Sequence, residues 1–255
     1  MLKMLVTFSF LLLSIPGLTT ASEIKISDVV AALETPFKAE TRRSEQIYDF
    51  SANFFQESLI ASIGRTQRGE GTVRFKFDAA TAQGEAPAAK FFWEYRKPSV
   101  QEIISDGLTM WVYMPENRQV IESDLRQINV QQGENPVTFL SGLGNLSRDF
   151  SIHWGAPEKV ESGDYRLLLK PLKASQLIQQ IDVVVSKKAV NRWLKKHKTG
   201  DIFPLLSTLV TDANGNRTAI EFRDVRVNLQ LKDGIFSFER PEGVELVDPA
   251  EQMSF

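Results

Sequence analysis

The sequence predicts a mainly β chain with a few short helices, an α+β arrangement whose sheet forms a barrel or a strongly curved antiparallel surface of about ten or eleven strands. Three observations lead there. From Tyr48 onward apolar residues alternate with polar ones, the period of two that marks half-buried strands. Turn-forming residues interrupt that alternation at short, regular intervals: Asp106-Gly107, Asn214-Gly215 and Asp233-Gly234 are the clearest. Residues 90–115, KFFWEYRKPSVQEIISDGLTMWVYMP, fit several strands and their turns with nothing between them.

Taken in order, residues 1–21 have the form of a secretory signal. Lys3 supplies a positive start, an apolar run follows, and Thr19-Thr20-Ala21 is a small-residue cleavage site. The run is broken by Pro16 and Gly17 and falls short of the ~20 residues that span a bilayer. The mature chain is therefore expected from Ser22, in the periplasm, as a single domain over 22–255 and as a monomer. It has no cysteine, so its stability must come from a hydrophobic core.

Asp28 opens a short amphipathic helix carrying Val29, Val30, Leu33 and Phe37 on one side, with Pro36 interrupting it. Phe50, Ala52 and Phe54 then give a strand one apolar face. Gly69-Glu70-Gly71 is expected to break the pattern before Val73, Phe75 and Phe77 resume it, and residues 78–89 read as a hairpin loop. Phe91, Trp93 and Tyr95 follow on one face of the next strand. Residues 101–105, 110–114 and 118–125 complete an antiparallel meander. In 110–114 both Trp111/Tyr113 and Met110/Val112/Met114 are apolar, so its inward face stays open.

Asn135-Pro136 suits a helix start, and Phe139, Leu140 and Leu143 form an apolar stripe beyond it. Gly142 and Gly144 weaken that helix by about 1 kcal/mol each relative to Ala, unless they serve close packing. Strands are expected again at 150–154, 165–170, 179–186, 205–211, 218–229 and 235–239. Between the third and fourth of these lies KKAVNRWLKKHK, residues 187–198, with six basic residues and no acid. Its helical spacing gathers Val190, Trp193 and Leu194 away from Lys187, Lys188, Arg192, Lys195 and Lys196, a face suited to an anionic membrane surface, an acidic partner or plain solvent.

Charge and motifs exclude several functions. A formal net charge of −2 gives no broad basic surface for nucleic acid. There are two histidines, His153 and His197, and no metal-ligand spacing, nucleophile elbow or phosphate-binding glycine loop. No catalytic residue, metal or cofactor is expected. A pair of carboxylates brought together by folding, as in a hydrolase, is the remaining enzymatic alternative.

YDFSANFFQ at 48–56, GEGTVRFKF at 69–77, KFFWEY followed by IISDG and MWVYMP, the helix opening NPVTFL, and the terminal FSFERPEGVELVD occur together in this order. In that ordered set the sequence resembles the LolA family of periplasmic carriers of outer-membrane lipoproteins. The resemblance implies an incomplete β-barrel covered by a helical lid and enclosing an apolar cavity for acyl chains. It implies acylated lipoproteins as cargo, an ATP-driven inner-membrane complex of the ABC type as donor, and an outer-membrane receptor. Phe50, Phe54, Val73, Phe75, Phe77, Phe91, Trp93 and Tyr95 are the expected cavity wall, with Val29, Leu33, Phe37, Phe139, Leu140 and Leu143 on the lid. Family members commonly place Arg-Pro before the aromatic strand, where the Arg bonds lid carbonyls; Pro87-Ala88-Ala89 stands here instead, so the lid must be latched otherwise. An envelope lipid shuttle or sensor on the same fold is the nearest alternative function.

Overall fold

A computed structural model describes residues 23–38, 40–77, 89–125, 139–175, 177–198 and 202–247. The expected signal, the loop at 78–88, the Asn135-Pro136 helix start and Val137 lie outside them. Among the described residues no helix is long and apolar enough to cross a membrane.

Among the described residues, twelve strands form one sheet: β1 (Asp49–Ile60), β2 (Arg65–Phe77), β3 (Ala89–Lys97), β4 (Gln101–Ser105), β5 (Thr109–Met114), β6 (Gln119–Asp124), β7 (Phe150–Lys159), β8 (Tyr165–Pro171), β9 (Gln180–Val185), β10 (Leu205–Thr211), β11 (Arg217–Val227) and β12 (Glu245–Val247). Their order across the sheet is β12-β6-β5-β4-β3-β2-β1-β11-β10-β9-β8-β7. The two ends of that order do not pair with each other, so the sheet curls without closing. Every pair is antiparallel except β6 with β12, which is parallel.

Alternation decides which side chains turn inward. Phe50, Ala52 and Phe54 from β1, Val73, Phe75 and Phe77 from β2, and Phe91 and Trp93 from β3 all enter one buried cluster. They meet Leu167 and Leu169 from β8, Ile181, Val183 and Val185 from β9, and Leu205 and Val210 from β10. Among the described residues, three short helices and several 3-10 turns accompany the sheet. Helix α1 (Ile26–Glu34) runs into the turn Thr35–Phe37; the turn Leu140–Asn145 leads into α2 (Leu146–Asp149); α3 (Lys187–Lys196) follows β9.

The structure corrects two expectations. Residues 69–71 do not interrupt a strand: β2 runs through them, with a register shift against β3 between Glu70 and Gly71. Glycine is required at 71 for proximity, because a Cβ there would lie 1.9 Å from the Glu94 carbonyl oxygen. Residues 235–239 are not a strand either. Asp233–Phe236 is a 3-10 turn, and the chain reaches the sheet edge only at β12, where it pairs in parallel and the sheet ceases to be antiparallel throughout.

The C-terminal segment instead straps the convex face. The Asp49 carboxylate, fully buried, accepts the Leu229 and Leu231 N–H groups at 2.6 and 2.9 Å. Lys76 and Lys90 on β2 and β3 both reach Asp233, at 2.9 and 3.1 Å. Phe238 packs on Trp111 and Tyr113 with ring centroids 6.1 and 5.4 Å away. That settles β5: Trp111 and Tyr113 face outward to the strap, while Met110 packs against the inner cluster.

Candidate functional site

The concave face of β1, β2 and β3 carries a continuous array of rings. Phe50 stacks on Phe75 at 5.3 Å, Phe75 meets Phe91 at 5.4 Å, and Phe54 meets Trp93 edge-on at 4.8 Å. Phe77 touches Phe37 of the turn after α1 at 5.1 Å, and Phe203, just before β10, lies 4.4 Å from Phe50. Adjacent antiparallel strands place directly opposed side chains within reach of one another, which is why Phe50 and Phe75 meet across β1 and β2, and Phe75 and Phe91 across β2 and β3. The structure thus brings all eight expected wall residues onto one surface. Seven are buried; Tyr95, at the rim, is half-buried.

Two polar atoms belong to these rings, and they are treated differently. The Tyr95 hydroxyl donates to Gln56 Oε1 at 2.8 Å, and burial pushes its pKa up to about 12. Trp93 is fully buried, and its indole N–H has no acceptor among the described residues. Beside Gln56 a cleft of about 560 Å³ opens, with Gly69, Thr208 and Ile220 among its lining residues. Sequence reasoning chose both rings for their apolar surface and had no signal for their polar atoms.

Over the array lie α1, the turn Thr35–Phe37 and the turn Leu140–Asn145. Val29, Leu33, Phe37, Phe139, Leu140 and Leu143 are all buried in the same cluster as the rings. Gly144 is a packing glycine, since a Cβ there would lie 2.7 Å from the Phe37 carbonyl oxygen; Gly142 faces open space. One polar contact that the sequence did not suggest joins the two helical pieces. Glu34, 3% exposed at the end of α1, accepts the Ser147 N–H of α2 and pairs with Lys38 at 3.2 Å. The only available signal was a carboxylate four residues after Val30, on the apolar side of the helix.

The basic stretch is a helix, as its spacing suggests. Ser186 caps α3, its hydroxyl accepting the Ala189 N–H at 3.4 Å. Ala189 and Val190 are buried where α3 packs on α1, and Trp193 is half-buried with its ring edge-on to His197 at 5.6 Å. Lys187, Lys188, Leu194, Lys195 and Lys196 are exposed; Arg192 is half-buried. Lys198 reaches Glu45 at 3.8 Å.

Few groups here suit catalysis. No cluster of three His, Cys, Asp or Glu that could hold a metal occurs among the described residues. Glu94 and Glu102 oppose each other across β3 and β4, and burial, then the Glu94 charge, raise the Glu102 pKa. They share the outward face of the sheet with Phe92, away from the rings. Glu94 is engaged by Thr72 at 2.8 Å and Arg74 at 3.7 Å.

Comparison with known proteins agrees with this geometry. The family model described as "Outer membrane lipoprotein carrier protein LolA" matches residues 45–239. An outer-membrane lipoprotein carrier protein of Hahella chejuensis is 28% identical over 94% of this chain and 97% of its own length. That of Chromobacterium violaceum is 27% identical over 91% and 96%. Among solved structures, an uncharacterized conserved protein from Thermus thermophilus covers 87% of this chain and 98% of its own, at 12% identity and a TM-score of 0.45, too distant to carry an argument.

Proposed function

The chain belongs to the LolA family, and from that premise we propose that it is a periplasmic carrier which shelters the acyl chains of lipoproteins and moves them from the inner to the outer membrane. The observation that carries this reading is the unbroken ring surface on the concave face, roofed by short helices rather than by a second sheet. A chain of ~16 carbons loses roughly 12 kcal/mol of stabilisation on leaving a bilayer for water, at about 0.8 kcal/mol per CH₂. Only an equivalent apolar surface offsets that. In the closed form the roof residues occupy the rings; displacing them exposes the surface to the cargo.

Release requires that the roof be held weakly. The polar contact described within it is that of Glu34, which joins its two helical pieces; we assign it the latching task of the family's arginine with opposite polarity, a carboxylate accepting an N–H in place of a guanidinium donating to carbonyls. The eight wall residues and six roof residues named from the sequence are proposed as that site, within a single domain that follows a signal cleaved near Ala21. Cargo would come from an ATP-driven inner-membrane complex and pass to an outer-membrane receptor, with the protein acting as a monomer. The basic face of α3 is assigned to transient contact with a membrane surface or a partner. No catalysis, metal or cofactor enters this scheme.

Native mass spectrometry with organic extraction, on mature protein purified from the periplasm without detergent, tests it. Bound triacylated protein is the expected result. Bound phospholipid alone would favour a lipid shuttle or sensor, and an empty protein that also refuses an added lipopeptide would overturn the reading.

A further inference from the structure

The inner face of β3 is one strand presenting three layers. Tyr95 stands at the rim, Trp93 one layer deeper, Phe91 deeper still, successive layers being ~6.6 Å apart along a strand. Nearly every other ring in this wall is phenylalanine: Phe50, Phe54, Phe75, Phe77 and Phe91. A phenylalanine at 93 would also be apolar and would leave no polar atom behind. The indole N–H is a donor only, and a buried donor without a partner is a net cost. Tyr95, the other ring bearing a polar atom, has its partner in Gln56; Trp93 has none among the described residues.

We propose that Trp93 Nε1–H is the recognition point for an ester carbonyl at the head of an acyl chain. This rests on the carrier reading and adds to it a polar subsite inside an otherwise apolar wall. The partner must be an acceptor, because the indole cannot accept. Of the groups on an acylated glyceryl head, the ester carbonyl is the strong acceptor nearest the alkyl chain. Its depth fits as well. With the carbonyl one layer below the rim, the head emerges beside Gln56 and Tyr95, next to the cleft lined by Gly69, Thr208 and Ile220. The alkyl chain then continues inward over Phe91, Phe75 and Phe77. A donor at the rim would leave the first methylenes in water; one at Phe91 would draw the polar head into the rings.

The test compares two synthetic lipopeptides of the same peptide sequence, one with two ester-linked hexadecanoyl chains and one with the corresponding dihexadecyl ethers, which lack those carbonyls. Wild-type protein should bind the ester form about threefold to tenfold more tightly, the worth of one net hydrogen bond. Trp93→Phe should bind both with equal affinity. The volume lost by the smaller ring affects both lipids alike, so the ratio isolates the N–H. A measurement on unaltered protein guards against a variant that folds poorly: the Trp93 indole N–H resonance should move downfield with the ester and stay with the ether. Equal binding of both lipids by wild type, or a preference that persists in Trp93→Phe, overturns this inference and leaves the carrier reading standing. Binding of neither lipid by wild type overturns the carrier reading and this inference with it.

Discussion

Strands β1 to β3 furnish the concave face mainly with rings, whereas β8 to β10 furnish it, Tyr165 apart, with aliphatic side chains. Both halves are equally buried: Phe75 and Trp93 are 0% exposed, and so are Leu167 and Val183. Burial therefore does not separate a permanent core from a surface that is covered for the time being. What differs is the company each half keeps. In the aliphatic half, β-branched Ile181, Val183 and Val185 have few rotamers and interlock between strands. The helix that follows β9, α3, is seated by Ala189 and Val190 on α1. The ring half is covered by α1 and short turns on its concave side and, on its convex side, braced by the strap, whose described polar contacts are to β1, β2 and β3. A surface whose inner partners leave still needs its strands held in place, and the strap does that from outside.

The largest expected effect comes from placing the same charge in each half. Leu167→Glu buries an unpaired carboxylate in interlocked aliphatic side chains, a cost of several kcal/mol against a total stability of about 5–15. It should not fold. Trp93→Glu should fold, with its roof displaced and water admitted to the charge, and should fail to retain an added lipopeptide. Far-UV circular dichroism with urea titration reads the first part, and gel filtration with labelled lipopeptide the second. If both variants unfold alike, the ring half is as closed a core as the aliphatic half and the contrast between them collapses.

A smaller effect is expected at the tie between α1 and α2. Glu34→Ala leaves the Ser147 N–H without its buried acceptor, a loss of about 1–3 kcal/mol. The loss should be local: amide exchange at Ser147 and along α2 should quicken, while the amides of β8 and β9 keep their protection. Glu34→Gln, whose amide oxygen still accepts, should fall between. A uniform loss of protection over the whole sheet would mean that Glu34 supports the core rather than the roof.

How much of this could be read from the chain follows the range of the interactions involved. Period-two alternation is local, so the inward set Phe50 to Trp93 was legible, as was α3 from its spacing; Ser186, read as the end of a strand, proved to be its cap. The strap was not, because Phe236 and Phe238 alternate like a strand, and only the tertiary placement of Phe238 on Trp111 and Tyr113 makes this segment a cover. Gly71 looked like a break for the same reason: its need for close approach lies on the neighbouring strand, at the Glu94 carbonyl. Glu34 and its acceptor role depend on a backbone N–H more than a hundred residues away. The Trp93 N–H is the hardest case, since it is defined by what no described neighbour offers.

The smallest expected effect concerns the brace itself and has a pH signature. Hydrogen bonds from Lys76 and Lys90, together with their positive charges, hold Asp233 below the usual carboxylate range. A carboxylate with a depressed folded pKa contributes stability that is fully present above its unfolded value, near 4, and is lost as pH falls through the folded value. The difference in Tm between wild type and Asp233→Asn should therefore be constant from neutral pH down to about 4 and shrink to nothing below it. Salt should reduce it throughout, because Asp233 and both lysine tips meet solvent. The sharper reading is positional. If the strap braces the ring half alone, Asp233→Asn should quicken amide exchange in β2 and β3 and leave β8 and β9 unchanged. Equal effects in both halves would make the strap a general clasp and remove the reason for treating the ring half as the one that opens.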